Sequence, residues 1–374
     1  MDNSLALNTA KQRQSNIELL RIIAMLLIVI VHFASYGAFT FPTSAITFNR
    51  IWFQLFRSTG KIGANVFVLI SGYFLIEAKN IKVKKVLKMW LQIFTYSFLL
   101  FVIFAAFGEA PLNFKTVVKR LLPVIYGEWW FASAYFMMYL VFPFLNKFLH
   151  SLDKKSYQKF IVLTTICWSI IPTIFVSRFQ SNDFVWFIYI YSVSGYIKLH
   201  IDTSKIKPSR AILTSFVFYV LTFFLTIIFD IIGKWVPTFG TGRRALYFFG
   251  LQKFPTLLIA LFLFLGFINL NIKYNKVINM ISSATFGVYL IHDDNFVRNL
   301  IWYKLFIPNR YMYSKLLIPY SIGVVLLVFS VCTGIELIRI NFVEKRYMKY
   351  VEKLSVFTEE KIRKFFSLKI FDKI

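Results

Sequence analysis

The chain has 374 residues, 58% of them hydrophobic and 16% charged, with a mean hydropathy of +0.64. Soluble domains run at about 45–50% apolar and about 25% charged, so an ordinary soluble enzyme and a disordered chain are both excluded. Two cysteines cannot make a disulfide scaffold, and a net charge of +26 without a basic helix or an aromatic-interleaved basic motif gives nucleic acid nothing to bind.

A bilayer core of roughly 30 Å needs roughly 20 mostly apolar residues per helix. Ten segments fit, at about 17–39, 62–77, 89–107, 129–146, 160–177, 183–197, 211–233, 254–269, 277–292 and 316–338. The expected fold is all-α, a polytopic integral membrane protein of about ten transmembrane helices in one bundle, with no soluble appended domain. The second and sixth segments are short, and the ninth carries polar residues. The first run exceeds a signal-peptide core and lacks a small-residue cleavage site, so it reads as a retained span. Residues 1–16 read as a cytoplasmic N-terminal segment and 17–338 as the transmembrane domain. Residues 339–374, with Lys361, Arg363, Lys364 and Lys369 among Phe and Ile, read as a basic amphipathic cytoplasmic tail on the inner leaflet.

An even number of spans puts both ends on one side. With that side inside, the first five inner segments hold 17 Lys/Arg in 60 residues, against 15 in 91 for the outer ones. The bias places both termini in the cytoplasm. The outer loops are themselves basic, which suits an anionic outer ligand or anionic headgroups. Cys167 and Cys332 fall in apolar runs and read as small buried hydrophobes.

Ionisable groups inside a span are costly and suggest function. Arg21 and His32 share the first span, in RIIAMLLIVIVH. Eleven steps of helix make about three turns, so the two side chains share a face about 16 Å apart. Arg21 is expected near the inner surface and His32 in the outer half. Glu18, three residues before Arg21, is its candidate partner. In the second span, Gly63, Ala64, Ser71 and Gly72 permit close approach, and Asn65 and Ser71 are candidates for a pocket or an oxyanion site. Lys85 and Lys88 follow it, one turn apart, and suit phosphate. Trp129 and Trp130 read as an interfacial belt, with Glu128 and Tyr135 as candidate pocket groups near the outer face. The ninth span ends SSATFGVYLIHDD, which puts His292 on the same side as His32. No HxH, HxxxH or Cys spacing supports a metal site. His150 and His200 read as interface residues. No GxSxG elbow, Walker loop or GxGxxG occurs. A His base acting on a hydroxyl with a thioester donor, or a transient acyl-enzyme, remain alternatives on the residues alone.

These segments resemble the membrane-bound acyltransferase-3 family over roughly 15 to 347. ELLRIIAMLLIVIVHF looks like its Arg-x10-His helix, VFVLISGYFLI its Ser-Gly-Phe segment, and WWFASAYFMMYLVFPFL its Trp-Tyr span. TFGVYLIHDD resembles its late Tyr-Leu-Ile-His motif, and FVEKRY its final Glu-Lys/Arg-Pro element. The resemblance implies a bacterial plasma-membrane O-acyltransferase for cell-surface polysaccharide or a lipid-linked glycan, with acetyl-CoA or another acyl-CoA as donor substrate and no bound cofactor. It implies that Arg21 holds the donor and that His32 is catalytic. Lys85 and Lys88 stand where the family has an Arg-x-x-Arg pair; lysine keeps the charge and loses the bidentate fork. Arg346 and Tyr347 replace the final Pro and Phe. The rival readings are a glycan or lipid-linked sugar flippase, expected to show paired broken helices, and a glycan polymerase, expected to show a large outer loop.

Overall fold

The computed structural model describes residues 13–42, 46–175, 179, 181–236 and 245–367, with the backbone alone over 362–367. Residues 1–12 of the expected N-terminal segment, residues 176 and 177 of the fifth expected span and residues 368–374 of the tail lie outside the described residues, as do the side chains of Arg363 and Lys364.

Polar side chains mark many of the helix starts. Helix α1 (Ser15–Tyr36) is followed by the short α2 (Phe48–Arg57), whose Thr47 cap accepts from the Arg50 amide, and by α3 (Gly60–Leu75) and α4 (Val83–Ala106). Asn113 caps α5 (Phe114–Leu121), and α6 (Trp130–Ser151) continues through Pro143. Asp153 caps α7 (Lys154–Thr165), which passes through a π turn at Ile166–Ile170 into α8 (Ile171–Phe175). Asn182 caps α9 (Asp183–His200), and prolines open α10 (Pro208–Gly233) and α11 (Phe254–Ile268). Asn275 caps α12 (Lys276–His292), and Asp294 caps α13 (Asn295–Asn299). The last two, α14 (Leu317–Ile338) and α15 (Lys345–Ser367), are joined through a π turn at Arg339–Glu344.

All ten expected spans fall on helices, and no strand occurs among the described residues. Six helical runs are long and apolar enough to cross a membrane: α1, α4, α6, α7–α8, α10 and the α14–α15 run. The other four expected spans fall short of that test. Helices α3, α11 and α12 have 16, 15 and 17 residues, about 23–26 Å at 1.5 Å per residue. Helix α9 has 18 residues, and Asp183, Lys198 and His200 at its ends lower its mean hydropathy below that of a span. The tail does not begin with a break: helicity runs on from α14, and α15 packs on α4.

Helix α10 shows which solvent this surface is built for. Its buried residues include Ser215, Thr222, Thr226 and Asp230, while Leu213, Phe216, Leu221 and Phe224 are exposed. In water this would be inside out; against lipid tails it is the stable arrangement. Trp90, Phe94 and Phe98 likewise stack along the outer face of α4. The protein is a membrane protein.

Helix α1 lies at the centre, packed on α2, α3, α11, α12 and α14. Gly63 makes the contact with α3 close: a Cβ there would stand 2.4 Å from the Ala24 carbonyl oxygen. Gly72 plays the same part between α3 and α9, where a Cβ would meet Ser194 Oγ at 2.2 Å. Both glycines belong to the small-residue set expected to allow close packing.

Candidate active site

At the N-terminal end of α1, Arg21 lines two adjoining cavities. The larger, about 680 Å³, is walled by Glu18, Arg21, Lys88, Gln92, Ser282, Glu336, Arg339 and Glu344 among others. The smaller, about 330 Å³, is more apolar and runs past Lys85, Met89, Phe67 and Phe131 to Ser71 and Tyr135. Arg21, Lys88, Gln92, Thr285 and Phe286 belong to both. Arg21 makes no ion pair among the described residues, and its Nε is buried without a hydrogen-bond partner. Lys85 lies within electrostatic range of Arg21 and Lys82. This end therefore offers positive charge to an anion, with an apolar passage beside it.

The carboxylates on the cavity wall are already engaged. Glu336, wholly buried, takes hydrogen bonds from Gln92 (2.8 Å), Tyr96 and Arg339 (2.7 and 2.8 Å). Arg339 also reaches Glu344 at 2.7 Å, and Glu344 pairs with Lys88. The π turn carries Arg339 and Glu344 to this cluster.

Along the same face of α1, His32 meets α12. Its Nδ1 lies 2.9 Å from Nε2 of His292, and His292 Nδ1 lies 2.5 Å from the Val288 carbonyl oxygen. Asp293 Oδ1 stands 3.6 Å from His32 Nδ1. Tyr36 donates to that carboxylate at 3.3 Å, and Arg298 donates to Tyr36 at 2.6 Å while standing 3.6 Å from Asp293. His292 and Asp293 are buried, and the His32 side chain is 12% exposed. His32 thus has a supported imidazole that keeps a small exposed surface, and it lines neither of the two cavities.

The other expected site residues divide. Ser71 and Tyr135 share a hydrogen bond of 3.0 Å on the smaller cavity. Lys88 reaches both cavities but is already paired with Glu344. Asn65 is not among the residues lining either cavity: it donates to the Leu251 carbonyl at 3.1 Å and accepts from Trp186 at 2.9 Å, so framework bonds occupy its amide. Glu18 accepts from Ser282 on α12 and forms no ion pair with Arg21. Glu128 lies 3.6 Å from Arg120, which also pairs with Asp294. Trp129 is core rather than belt, at 1% exposure, and Trp130 lies under Lys61. Several cations of the outer loops, expected to suit an anionic ligand or anionic headgroups, are paired within the protein: Arg50 with Asp230 at 2.6 Å, Arg120 with Asp294, Arg298 with Tyr36 and, at the surface, Lys304 with Glu109. Tyr36 and Arg298 were not foreseen as site residues. Asp293 stood in the quoted HDD run, which was the only signal of its place.

Among the described residues, no group of three His, Cys, Asp or Glu is arranged as metal ligands. The family model of the acyltransferase domain, Acyl_transf_3, matches residues 14–337. The chain belongs to the acyltransferase-3 family. The match takes in the helices that carry Arg21, His32, His292, Asp293 and Arg298, so the histidine cluster and the smaller cavity lie within the acyltransferase domain, while Arg339 and Glu344 on the wall of the larger cavity lie outside the match. No curated protein and no solved structure matches the chain. This membrane acyltransferase ends its family match at the last residues of α14, so the π turn and α15 lie beyond it.

Proposed function

We propose that this acyltransferase moves an acyl group, acetyl by preference, from cytoplasmic acyl-CoA to a hydroxyl of a cell-surface polysaccharide or lipid-linked glycan. The observation that carries the reading is one helix with two ends of different chemistry. Arg21, without a carboxylate partner, opens on a basic cavity, and His32, about 16 Å further along the face, sits in a supported histidine cluster.

Phosphates of the donor bind Arg21, with Lys85 beside it and Lys88 released from Glu344. The Lys/Arg bias supports placing this end, and both termini, on the cytoplasmic side of a bacterial plasma membrane. The pantetheine arm lies along the smaller cavity past Phe67 and Phe131 and brings the thioester towards His32. An acceptor hydroxyl meets it from the outer half. His32 takes the hydroxyl proton as the oxygen attacks the thioester carbon. The C–O bond forms, the C–S bond breaks, and the proton passes from His32 to the leaving thiolate.

The test compares base-labile acyl esters on the surface glycan of parent, deletion and deletion carrying His32→Ala, with membrane levels matched. Loss of esters in the deletion and no recovery with His32→Ala support the transferase and its base, and the positions of the lost groups name the acyl group and the sugar carbon. Persistent esters with reduced glycan would end the transferase reading in favour of a transporter.

A further inference from the structure

We infer that His292 is a positioning residue that fixes the tautomer of His32, so that Nε2 of His32 is the atom that takes the acceptor's proton. For its kinetic consequence this rests on the acyltransferase mechanism above; the tautomer itself does not depend on it.

Two hydrogen bonds fix the tautomer. Nδ1 of His292 lies 2.5 Å from the Val288 carbonyl oxygen, one turn back on the same helix. A carbonyl oxygen only accepts, so that Nδ1 carries the hydrogen. A neutral imidazole has one N–H, so Nε2 of His292 presents a lone pair. That lone pair faces Nδ1 of His32 at 2.9 Å. Two lone pairs cannot bond, so His32 Nδ1 carries a hydrogen and donates it. Neutral His32 is then left with its lone pair on Nε2. A free imidazole side chain prefers the opposite arrangement, with the hydrogen on Nε2, which would block the base. The second ring selects the form that can act.

The carboxylate beside it completes the arrangement. Arg298 donates to the Tyr36 oxygen at 2.6 Å, which leaves the Tyr36 hydrogen to go to Asp293 at 3.3 Å. The Asp293 carboxylate is thereby held 3.6 Å from His32 Nδ1, where positive charge grows as Nε2 gains the proton.

The experiment uses the full-length enzyme in nanodiscs, labelled with 15N-histidine. The chain has four histidines, and substitution of His150 and His200 assigns the two that matter. Long-range 1H–15N correlations read the tautomer directly. The expected result is His32 protonated on Nδ1 in the parent, and on Nε2 in His292→Ala. Acyl transfer is measured alongside. His292→Ala lowers kcat by about 10²–10⁴-fold with little change in donor KM. His292→Gln, whose amide oxygen reaches the same place as an acceptor, restores the Nδ1–H form and part of kcat. A parent His32 protonated on Nε2, a doubly protonated His292, or a tautomer unmoved by His292→Ala would each overturn the inference. Equal loss in the Ala and Gln variants with an unchanged tautomer would assign His292 to packing. If the parent shows no acyl transfer, the functional reading falls while the tautomer measurement still decides this one.

Discussion

Arg21 and Asp293 make opposite predictions because they stand at opposite ends of the path proposed for the donor. Arg21 has no carboxylate partner to release, so its removal acts on binding. Arg21→Ala is expected to raise the acyl-CoA KM by about tenfold or more, the scale of one lost charge-assisted contact, with a smaller change in kcat. Arg21→Lys recovers part of the loss, since the charge stays and the fork goes. Steady-state kinetics against donor concentration measures both. Asp293→Asn keeps the shape and removes the charge beside His32 Nδ1. It is expected to lower kcat by about 10–100-fold with donor KM held, as for other removals of a charge that steadies a developing imidazolium. At this scale the sequence was legible only where residues share a helix. Arg21 and His32 could be placed on one face by counting. His292 could be assigned to the same side, but its contact with His32 spans 260 residues and is made by packing α1 on α12. Glu18 shows the reverse failure. Its spacing from Arg21 favours a pair, and Ser282 on the neighbouring helix takes it instead.

Helix contacts depend on where the chain has no Cβ. Gly63→Ala would drive a methyl to 2.4 Å from the Ala24 carbonyl, against rigid backbone. The expected cost is about 1–3 kcal/mol, read as a lower melting temperature of the purified protein, with activity falling because α1 carries both site residues. Gly287 on α12 is used differently: the Glu336 carboxyl group fills the space a Cβ would take, at 2.2 Å. Apolar runs located helices at all ten expected positions, and six of the helical runs are long and apolar enough to cross a membrane. The same criterion passed over α2, α5 and α13. At 10, 8 and 5 residues, each with at least one basic residue, they look like loops when only long apolar runs are sought.

Across the whole molecule, buried ion pairs join elements far apart in the chain. Arg50 of α2 meets Asp230 of α10 with the carboxylate fully buried, and Arg120 of α5 meets Asp294 at the cap of α13. Removing one partner leaves an uncompensated charge, so Asp230→Ala is expected to destabilise by about 3–5 kcal/mol. Replacing both, as Arg50→Met with Asp230→Leu, should recover most of that, and thermal unfolding in one detergent compares them. A surplus of basic residues in outer loops does not reveal such pairs, because their carboxylates come from other segments. Composition told membrane from water; only the packed bundle told which charges remain free.

From Leu317 to Lys361, 45 residues form one helical run, a rod of about 68 Å. Glu336, Arg339 and Glu344 ride on it and wall the larger cavity, while Glu352, further along, is tied to Lys84 of α4. The rod therefore passes the larger cavity near its midpoint, with an arm on either side. Whatever tilts the far end moves a guanidinium and two carboxylates relative to Arg21, so a load hung on the tail would be felt as a change in the shape of the larger cavity.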